Sequence, residues 1–195
     1  MALSLAPSLV AADGGADVVL AAGLRPDAVI GDMDSLSAKA RAAFHDVLHP
    51  VAEQTTTDFE KCLLRIDAEL VVALGVTGGR LDHTLAALNT MARFAKRRII
   101  ALGGVDCAAL VPKGGLRLDL APGTRLSLMP LGRVACTARG LRWPLEAAEM
   151  APDGAVSISN EVGPTGRVEV EAEGPLLVTL PGADFAALFA ALDAG

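Results

Sequence analysis

The distribution of apolar and polar residues divides the chain into two halves with different periodicities. In the first half, short apolar runs alternate with helical stretches. Strands are predicted over residues 8–12, 28–30, 70–76 and 99–102, and helices over residues 17–22, 38–44, 57–66 and 84–97. Strands and helices that alternate in this way are typical of a mainly parallel sheet covered by helices.

From about residue 111 the pattern changes to short alternating segments separated by proline and glycine. Strands are predicted over residues 116–120, 124–129, 133–138, 155–158, 167–173 and 176–180, and a helix over residues 183–192. This spacing is the signature of an antiparallel sandwich. We therefore predict an α/β domain with a mainly parallel sheet over residues 1–110, followed by an all-β antiparallel sandwich domain over residues 111–195.

The composition is that of a globular protein without a nucleic-acid or membrane partner. The 195 residues are 52% hydrophobic and 21% charged, which suffices for a hydrophobic core. The net charge of −6 provides no basic surface for nucleic acid, and no apolar run reaches the ~18 residues of a membrane-spanning helix. Cys62, Cys107 and Cys136 have no paired spacing, so we expect reduced thiols and a cytoplasmic location.

The strongest candidate for metal chemistry is the segment 31–35, which follows the apolar residues 28–30. Residues two apart in an extended segment point to the same side, so Asp32 and Asp34 can present two carboxylates about 6 to 7 Å apart. Mg²⁺ binds one or two carboxylates together with waters and substrate phosphates. An Asp-rich turn that leads into the next helix is the alternative. The pattern alone supports both interpretations.

The segment 54–61 begins another predicted helix. Thr57 and Glu60 have the spacing of a capping box, and Asp58 suits the positive end of the helix dipole, so capping explains this segment on spacing alone. A helix N-terminus also attracts phosphate. Lys61 therefore has two interpretations, a phosphate ligand or a solvated helix residue.

A glycine-rich turn occupies residues 77–83, between a predicted strand and a predicted helix. Gly78 and Gly79 allow backbone N–H groups to approach a phosphate, and Arg80 adds a charge-assisted contact. A simple turn in which Asp82 caps the helix would have the same sequence. The turn matches neither GxGxxG nor a Walker A loop.

A further turn over residues 12–17 places Asp13 at the end of a strand. Taken alone, this turn is more typical of a loop than of a site. However, all four motifs follow a predicted strand or begin a predicted helix. In an open parallel sheet such positions share the edge where ligands bind.

Taken together in this order, the four motifs resemble the thiamine pyrophosphokinase family. The matching segments are residues 12–17 (ADGGAD), 25–35 (RPDAVIGDMDS), 57–61 (TDFEK), 77–83 (TGGRLDH), 140–145 (GLRWPL) and 157–161 (SISNE). The resemblance spans nearly the whole chain. It implies an α/β catalytic domain, a C-terminal β-sandwich, a homodimer with active sites at the subunit junction, and a reaction that uses ATP and Mg²⁺.

The resemblance also implies roles for individual residues. Metal binding falls to Asp32 and Asp34, and the catalytic carboxylates are Asp32, Asp34, Asp58 and Asp82. Contacts with ATP or thiamine fall to Asp13, Gln54, Thr57, Lys61, Thr77, Gly78, Gly79, Arg80, Trp143, Ser159 and Asn160. Stacking of the cationic thiazolium on the indole of Trp143 is physically sensible, although a core or rim position in the sandwich is the alternative for a lone tryptophan.

The predicted reaction is an in-line attack of the thiamine hydroxyl on the β-phosphorus of ATP, which releases AMP. Asp58 or Asp82 would orient the hydroxyl or take its proton. The alternatives are another Mg²⁺-dependent nucleotide hydrolase or transferase, which would not need Trp143, and a non-catalytic thiamine or nucleotide sensor. The family usually begins with a further strand and a Gly-rich turn, which we expect to lie outside this sequence.

Overall fold

In the computed structural model, which describes residues 2–194, the chain begins with three short parallel strands connected by helices. The elements are α1 (Ala2–Leu5), β1 (Val10–Ala12), α2 (Gly15–Ala21), β2 (Ala28–Gly31), α3 (Ala38–Ala43), β3 (Leu48–Pro50) and α4 (Asp58–Leu63). The strands pair in the order β1-β2-β3, with Val10 opposite Ala28 and Val29 opposite Leu48. These elements form one compact unit that ends at Ala68.

The central strand β2 is buried on both faces because successive side chains of a strand point to opposite sides. On one face, Val29 packs in a cluster with Phe44 and other residues from α2, α3 and the loop between β2 and α3. Ile30 packs with Val51 and Cys62. The apolar pattern of residues 28–30 thus produces a strand with helices on both sides.

The second compact unit begins at Glu69 and contains the remaining elements. They are β4 (Leu70–Leu74), α5 (Leu81–Arg93), β5 (Arg98–Leu102), β6 (Asp106–Leu110), β7 (Leu116–Asp119), β8 (Arg125–Pro130), β9 (Val134–Arg139), β10 (Leu145–Met150), β11 (Ser157–Glu161), β12 (Arg167–Glu173), β13 (Leu176–Pro181) and α6 (Phe185–Asp193). A short 3₁₀ turn, Gly182–Asp184, precedes α6.

The strands of this unit form two sheets. One has six strands in the order β11-β8-β13-β6-β5-β4, and the other has four in the order β10-β9-β12-β7. All pairs are antiparallel except β4 with β5. In β7, Leu116 and Leu118 are buried while Arg117 and Asp119 are exposed. This alternation means that β7 buries one of its two faces.

The predicted fold class is confirmed: a parallel-sheet α/β part is followed by an antiparallel β part. The sequence pattern missed α1, β3, β6 and β10. The expectation that all four motifs share one parallel sheet was wrong. β4 and β5 pair in parallel and belong to the six-stranded sheet through the antiparallel pairing of β5 with β6, whereas β1, β2 and β3 form a sheet of their own. The domain division at residue 110 stays a prediction.

No helix within residues 2–194 combines the length and the apolar character required to cross a bilayer.

Candidate active site

Three carboxylates meet at the carboxyl ends of the strands in the first unit. Asp13 follows β1, Asp32 follows β2, and Asp58 is the first residue of α4. One carboxylate oxygen from each lies within 4.8 Å of the others. Parallel strands end at the same edge of a sheet, and α4 packs against β1 and β2. The fold therefore builds a set of oxygen atoms of the kind that a hard divalent cation prefers.

Asp13 is the most constrained member of this acidic group. Its side chain is 3% exposed, Oδ2 accepts a hydrogen bond from the backbone N–H of Ser35 at 3.2 Å, and Oδ1 has no partner. Burial and the neighbouring charges of Asp58 and Asp32 raise the pKa of Asp13, against the lowering effect of the Ser35 hydrogen bond. A buried oxygen without a partner is costly, and a bound cation would satisfy it.

Asp13 also carries backbone strain, since its φ is 41°. L-residues adopt this left-handed region rarely, although aspartate tolerates it better than most. Strain of this kind clusters at functional sites.

Lys61 is a cation built into the acidic group. Its side chain is 2% exposed, and Nζ lies 3.0 Å from Asp58 Oδ1 and 3.6 Å from Asp32 Oδ2. Burial lowers the pKa of Lys61, but the hydrogen bond and charge of Asp58 and the charge of Asp32 outweigh it, so that the pKa is raised. The alternative of a solvated helix residue is wrong, because the ammonium is buried beside the carboxylates, and the phosphate contact of Lys61 stays a prediction.

Asp32 and Asp34 are not joined by the extended backbone that the sequence spacing assumed. Met33 between them has a φ of 67°, which turns the backbone out of the extended conformation. Asp32 Oδ2 accepts a hydrogen bond from Gln54 Nε2 at 2.6 Å, which is the main cause of its lowered pKa. Asp34 is exposed, accepts from the Ser35 hydroxyl at 2.9 Å, and lies outside the acidic group. Its metal role stays a prediction.

The helix that carries Asp58 begins as the capping box predicts. Thr57 is the N-cap of α4, and its hydroxyl accepts from the backbone N–H of Glu60 at 3.3 Å. The Thr57 side chain is thus used to begin the helix.

Two residues to which the sequence analysis gave no role in the site, Gly31 and Glu53, also shape it. A Cβ at Gly31 would lie 2.6 Å from Asp13 Cβ, so only glycine allows the strand ends to approach. Glu53 accepts hydrogen bonds from the backbone N–H groups of Thr55 and Thr56 and from both hydroxyls. These bonds lower the pKa of Glu53 to about 2. The only signal for Glu53 in the sequence was its position two residues before Thr55 and three before Thr56, whose side chains carry hydroxyls.

The second unit presents the glycine-rich turn at the N-terminus of α5. Gly78 and Gly79 have φ values of 85° and 115°, which other residues adopt only with strain. Arg80 donates to both carboxylate oxygens of Asp82, at 3.1 and 2.5 Å, and both side chains are mostly exposed. Arg80 is the N-cap of α5 and makes no side-chain capping bond, so the alternative in which Asp82 caps the helix was wrong. Thr77 lies half-buried before the turn.

The predicted thiamine contacts lie in the antiparallel part of the same unit. Trp143 is 52% exposed, so a position in the sandwich core is wrong, whereas the alternative of a rim residue stays open. The guanidinium carbon of Arg142 lies 4.7 Å from the centroid of the indole ring. Ser159 is exposed with a φ of 57°, whereas Asn160 is buried and bonds to the backbone of Trp143.

Comparison with known proteins identifies a family for both parts of the chain. Residues 2–102 match the model of the thiamin pyrophosphokinase catalytic domain, and residues 116–177 match that of the thiamin pyrophosphokinase vitamin B1 binding domain. Thiamine pyrophosphokinase 1 of Oryza sativa subsp. japonica is 30% identical, over 71% of this chain and 60% of the relative. Thiamine pyrophosphokinase 1 of Arabidopsis thaliana is 30% identical, over 80% of this chain and 65% of the relative. The chain thus spans less than two thirds of the length of these plant relatives.

Solved structures show the same fold. Thiamin pyrophosphokinase from Candida albicans superposes with a TM-score of 0.77 at 18% identity, over 89% of this chain and 82% of the other. The enzyme from Geobacillus thermodenitrificans gives a TM-score of 0.74 at 26% identity, over 91% and 87% of the two chains. With both domain models matched in order along the sequence, the chain belongs to the thiamin pyrophosphokinase family.

Proposed function

We propose that this protein transfers a diphosphate group from ATP to thiamine and releases thiamine diphosphate and AMP. The relatives that share its family carry the name of this activity. The observation that carries the proposal is the acidic group of Asp13, Asp32 and Asp58, with its buried unpartnered oxygen. A binding protein without phosphate chemistry would have no need of that costly arrangement.

The acidic group suits Mg²⁺, which the reaction would require as a cofactor. Asp13, Asp32 and Asp58 would hold the ion, and the free Oδ1 of Asp13 is the atom with no other partner. When bound, Mg²⁺ supplies charge neutralisation on the phosphate oxygens of ATP. Lys61 offsets part of the repulsion among the carboxylates. The exposed Asp34 is proposed as a further metal ligand on the solvent side.

The turn before α5 is proposed to bind the phosphates of ATP. Exposed ion pairs contribute little free energy, so Arg80 can exchange Asp82 for a phosphate at small cost. Gly78 and Gly79 leave room for a ligand beside their backbone N–H groups, because nothing lies within 4 Å of a Cβ built at either position. Thr77 is proposed as a further polar contact of this turn with ATP. Gln54 and Thr57 of the first unit are proposed separately as polar contacts with ATP.

Asp82 is proposed as the residue that orients the thiamine hydroxyl and accepts its proton. Asp58 is already bonded to Lys61 and is assigned to the metal. Asp82, by contrast, loses its ion-pair partner when Arg80 turns to a phosphate. Oδ2 of Asp82 would then be free, while Oδ1 keeps its hydrogen bond from the backbone N–H of His83. A carboxylate oxygen that becomes free in the substrate complex is suited to act as a general base.

Thiamine is proposed to stack on Trp143, with Ser159 beside its pyrimidine. A half-exposed indole offers a face to a cationic ring, and such contacts contribute about 0.5 to 2 kcal/mol. We further propose a homodimer, to be measured by light scattering. A cytoplasmic location is supported by the three cysteines, which are free and buried.

The test is incubation of the purified protein with ATP, Mg²⁺ and thiamine, followed by chromatography. We expect AMP and thiamine diphosphate in equal amounts, and no AMP without thiamine. Asp32→Asn should abolish most turnover, whereas the matched change Asp153→Asn, at an exposed position outside the site, should not. AMP or ADP formation independent of thiamine would favour a nucleotide hydrolase. Binding of both ligands without any product would favour a sensor.

A further inference from the structure

The side chain of Asn160 is 3% exposed and makes four hydrogen bonds. Oδ1 accepts from the backbone N–H groups of Trp143 at 3.2 Å and Glu161 at 2.9 Å. Nδ2 donates to the carbonyl of Trp143 at 2.7 Å and to the hydroxyl of Ser157 at 3.3 Å. Both donors and two acceptor sites of the amide are therefore used within the protein.

The surroundings fix the orientation of this amide. If Oδ1 and Nδ2 were exchanged, an NH₂ group would face the N–H groups of Trp143 and Glu161, and an oxygen would face the Trp143 carbonyl. Only the observed orientation satisfies all of these groups, as burial requires.

Asn160 replaces sheet hydrogen bonds that the backbone of Trp143 lacks. Leu141 forms an isolated bridge with Val162, and the ladder of β10 with β9 begins at Leu145. Trp143 lies between these two points and is bonded on both its N–H and C=O by one side chain. The position of the indole therefore depends on Asn160.

A bulge in β11 turns Asn160 towards the interior. The register between β11 and β8 shifts between Ser157 and Asn160, and the intervening Ser159 has a φ of 57°. The backbone N–H of Ser159 donates to Ser127 Oγ at 3.0 Å. Bulges commonly re-aim a side chain next to an active site.

Arg142 adds a second support on one face of the indole. Its guanidinium carbon lies 4.7 Å from the ring centroid, and Nη1 bonds to Glu161 Oε2 at 2.8 Å. The backbone N–H of Glu161 is itself bonded to Asn160. The indole of Trp143 is thus held through its backbone and through one face, while half of its surface stays exposed.

We propose that Asn160 is a positioning residue that fixes Trp143 for stacking with thiamine and does not itself contact the substrate. The inference rests on the proposed function for the role of thiamine. It revises the substrate contact that the family resemblance implied for Asn160, since every polar atom of its side chain already has a partner inside the protein.

The experiment uses the fluorescence of Trp143, the single tryptophan of the chain. Asn160→Asp keeps the volume and the acceptor but places an oxygen against the Trp143 carbonyl. In the ligand-free variant we expect lower fluorescence anisotropy and stronger quenching of the fluorescence by acrylamide. The dissociation constant for thiamine should rise about tenfold. The dissociation constant for ATP and the melting temperature of the α/β part should change little. Asn160→Ala should act in the same direction.

Ser157→Ala is the matched control, because it removes the fourth hydrogen bond of Asn160 without touching Trp143. This variant should keep the wild-type values of the fluorescence anisotropy and of the dissociation constant for thiamine. A measurement on the wild-type protein provides a test that does not depend on whether the variants fold. On the nanosecond timescale, the fluorescence anisotropy should show that the indole of Trp143 moves only with the protein as a whole.

A freely rotating indole in the wild-type protein overturns the proposal. The same holds if the folded Asn160→Asp and Asn160→Ala variants keep wild-type anisotropy and thiamine binding. Thiamine that stacks on Trp143 should quench the fluorescence of the wild-type protein. If both variants loosen the indole but thiamine does not quench the wild-type fluorescence, Asn160 still positions Trp143, and the proposed thiamine site is wrong.

Discussion

The N-termini of α4 and α5 carry similar residues in opposite surroundings. Each begins near an aspartate and a cation that the sequence associates with phosphate binding. In α4, Lys61 is 2% exposed and lies between two carboxylates. Near the start of α5, Arg80 is 71% exposed and pairs with Asp82, which is 63% exposed.

The difference separates a preformed site from an adaptable one. Charges that are buried together are held in one geometry, because leaving any of them unpaired is costly. An exposed ion pair contributes little and exchanges its partner readily. We infer that the α4 region is built to hold a small cation in a fixed place, whereas the α5 region is built to release Asp82 and accept a larger anionic ligand.

The largest expected effect concerns Asp13 in the preformed site. Asp13→Asn should lower Mg²⁺-dependent turnover by about a hundredfold or more, because the ion loses an anionic ligand. Without Mg²⁺ the variant should melt no lower than the wild type, since asparagine removes a buried charge and tolerates a φ of 41°. Turnover assays and calorimetry in EDTA measure both effects. Wild-type Mg²⁺ dependence in the variant would remove Asp13 from the metal site.

Lys61 and Arg80 allow a direct comparison of the two helix starts. Lys61→Met should lower the free energy of unfolding by about 1 to 2 kcal/mol, because Asp58 and Asp32, which are partly buried, lose their counter-charge. Arg80→Met should leave the free energy of unfolding nearly unchanged and should instead raise the dissociation constant for ATP. Urea denaturation and nucleotide titration of both variants provide the measurement. If both variants lost the same free energy of unfolding, the proposed difference between the buried Lys61 and the exposed Arg80 would be wrong.

Two glycines test whether the first unit is the more tightly built. A Cβ at Gly31 meets Asp13 Cβ at 2.6 Å, and a Cβ at Gly103 meets the hydroxyl oxygen of Thr77 at 2.6 Å. Gly31→Ala should cost about 2 kcal/mol, because Asp13 Cβ cannot move without its backbone. Gly103→Ala should cost about 1 kcal/mol or less, because a hydroxyl can change rotamer. A larger loss for Gly103→Ala in thermal melts would contradict this order.

The smallest effect is a pH dependence at the loop before α4. The pKa of Glu53 is lowered from 4.5 to about 2, so its hydrogen bonds stabilise the fold fully above about pH 4.5 and are lost as the pH falls towards 2. Glu53→Gln should therefore melt below the wild type at neutral pH, with a difference that shrinks on acidification. Melting curves between pH 3 and 7 measure it. A difference that grows at low pH would show that Glu53 does not act through its ionised form.

Much of the fold was predictable because it follows from local pattern. The apolar residues 28–30 form β2, and the capping spacing of Thr57 and Glu60 starts α4 as expected. Most segments after residue 111 that alternate apolar and polar residues are strands. β6 and β10 were missed because their sequences, DCAAL and LEAAEM, are rich in alanine and lack the β-branched residues that mark strands.

The candidate site was predicted less completely than the fold. Asp13, Asp32 and Asp58 were each selected from the sequence, and their motifs were expected at one sheet edge. That these three carboxylates form one group was not predicted, since it depends on how two strand ends and a helix meet. The pairing of Asp32 with Asp34 assumed an extended backbone, and the left-handed Met33 breaks that assumption. Asn160 was selected as a substrate contact, whereas its four hydrogen bonds lie inside the protein.

The sequence by itself determined the fold class and the residues that carry chemistry, because periodicity and residue type are local properties. Burial, pairing and backbone geometry were decided only by the tertiary structure. Lys61 is a buried counter-charge and Arg80 an exposed one because the first faces Asp58 and Asp32 beneath the ends of β1 and β2, while the second stands at an open turn. No local pattern distinguishes the two cations, since the electrostatic cost of a charge depends on the atoms that surround it in space.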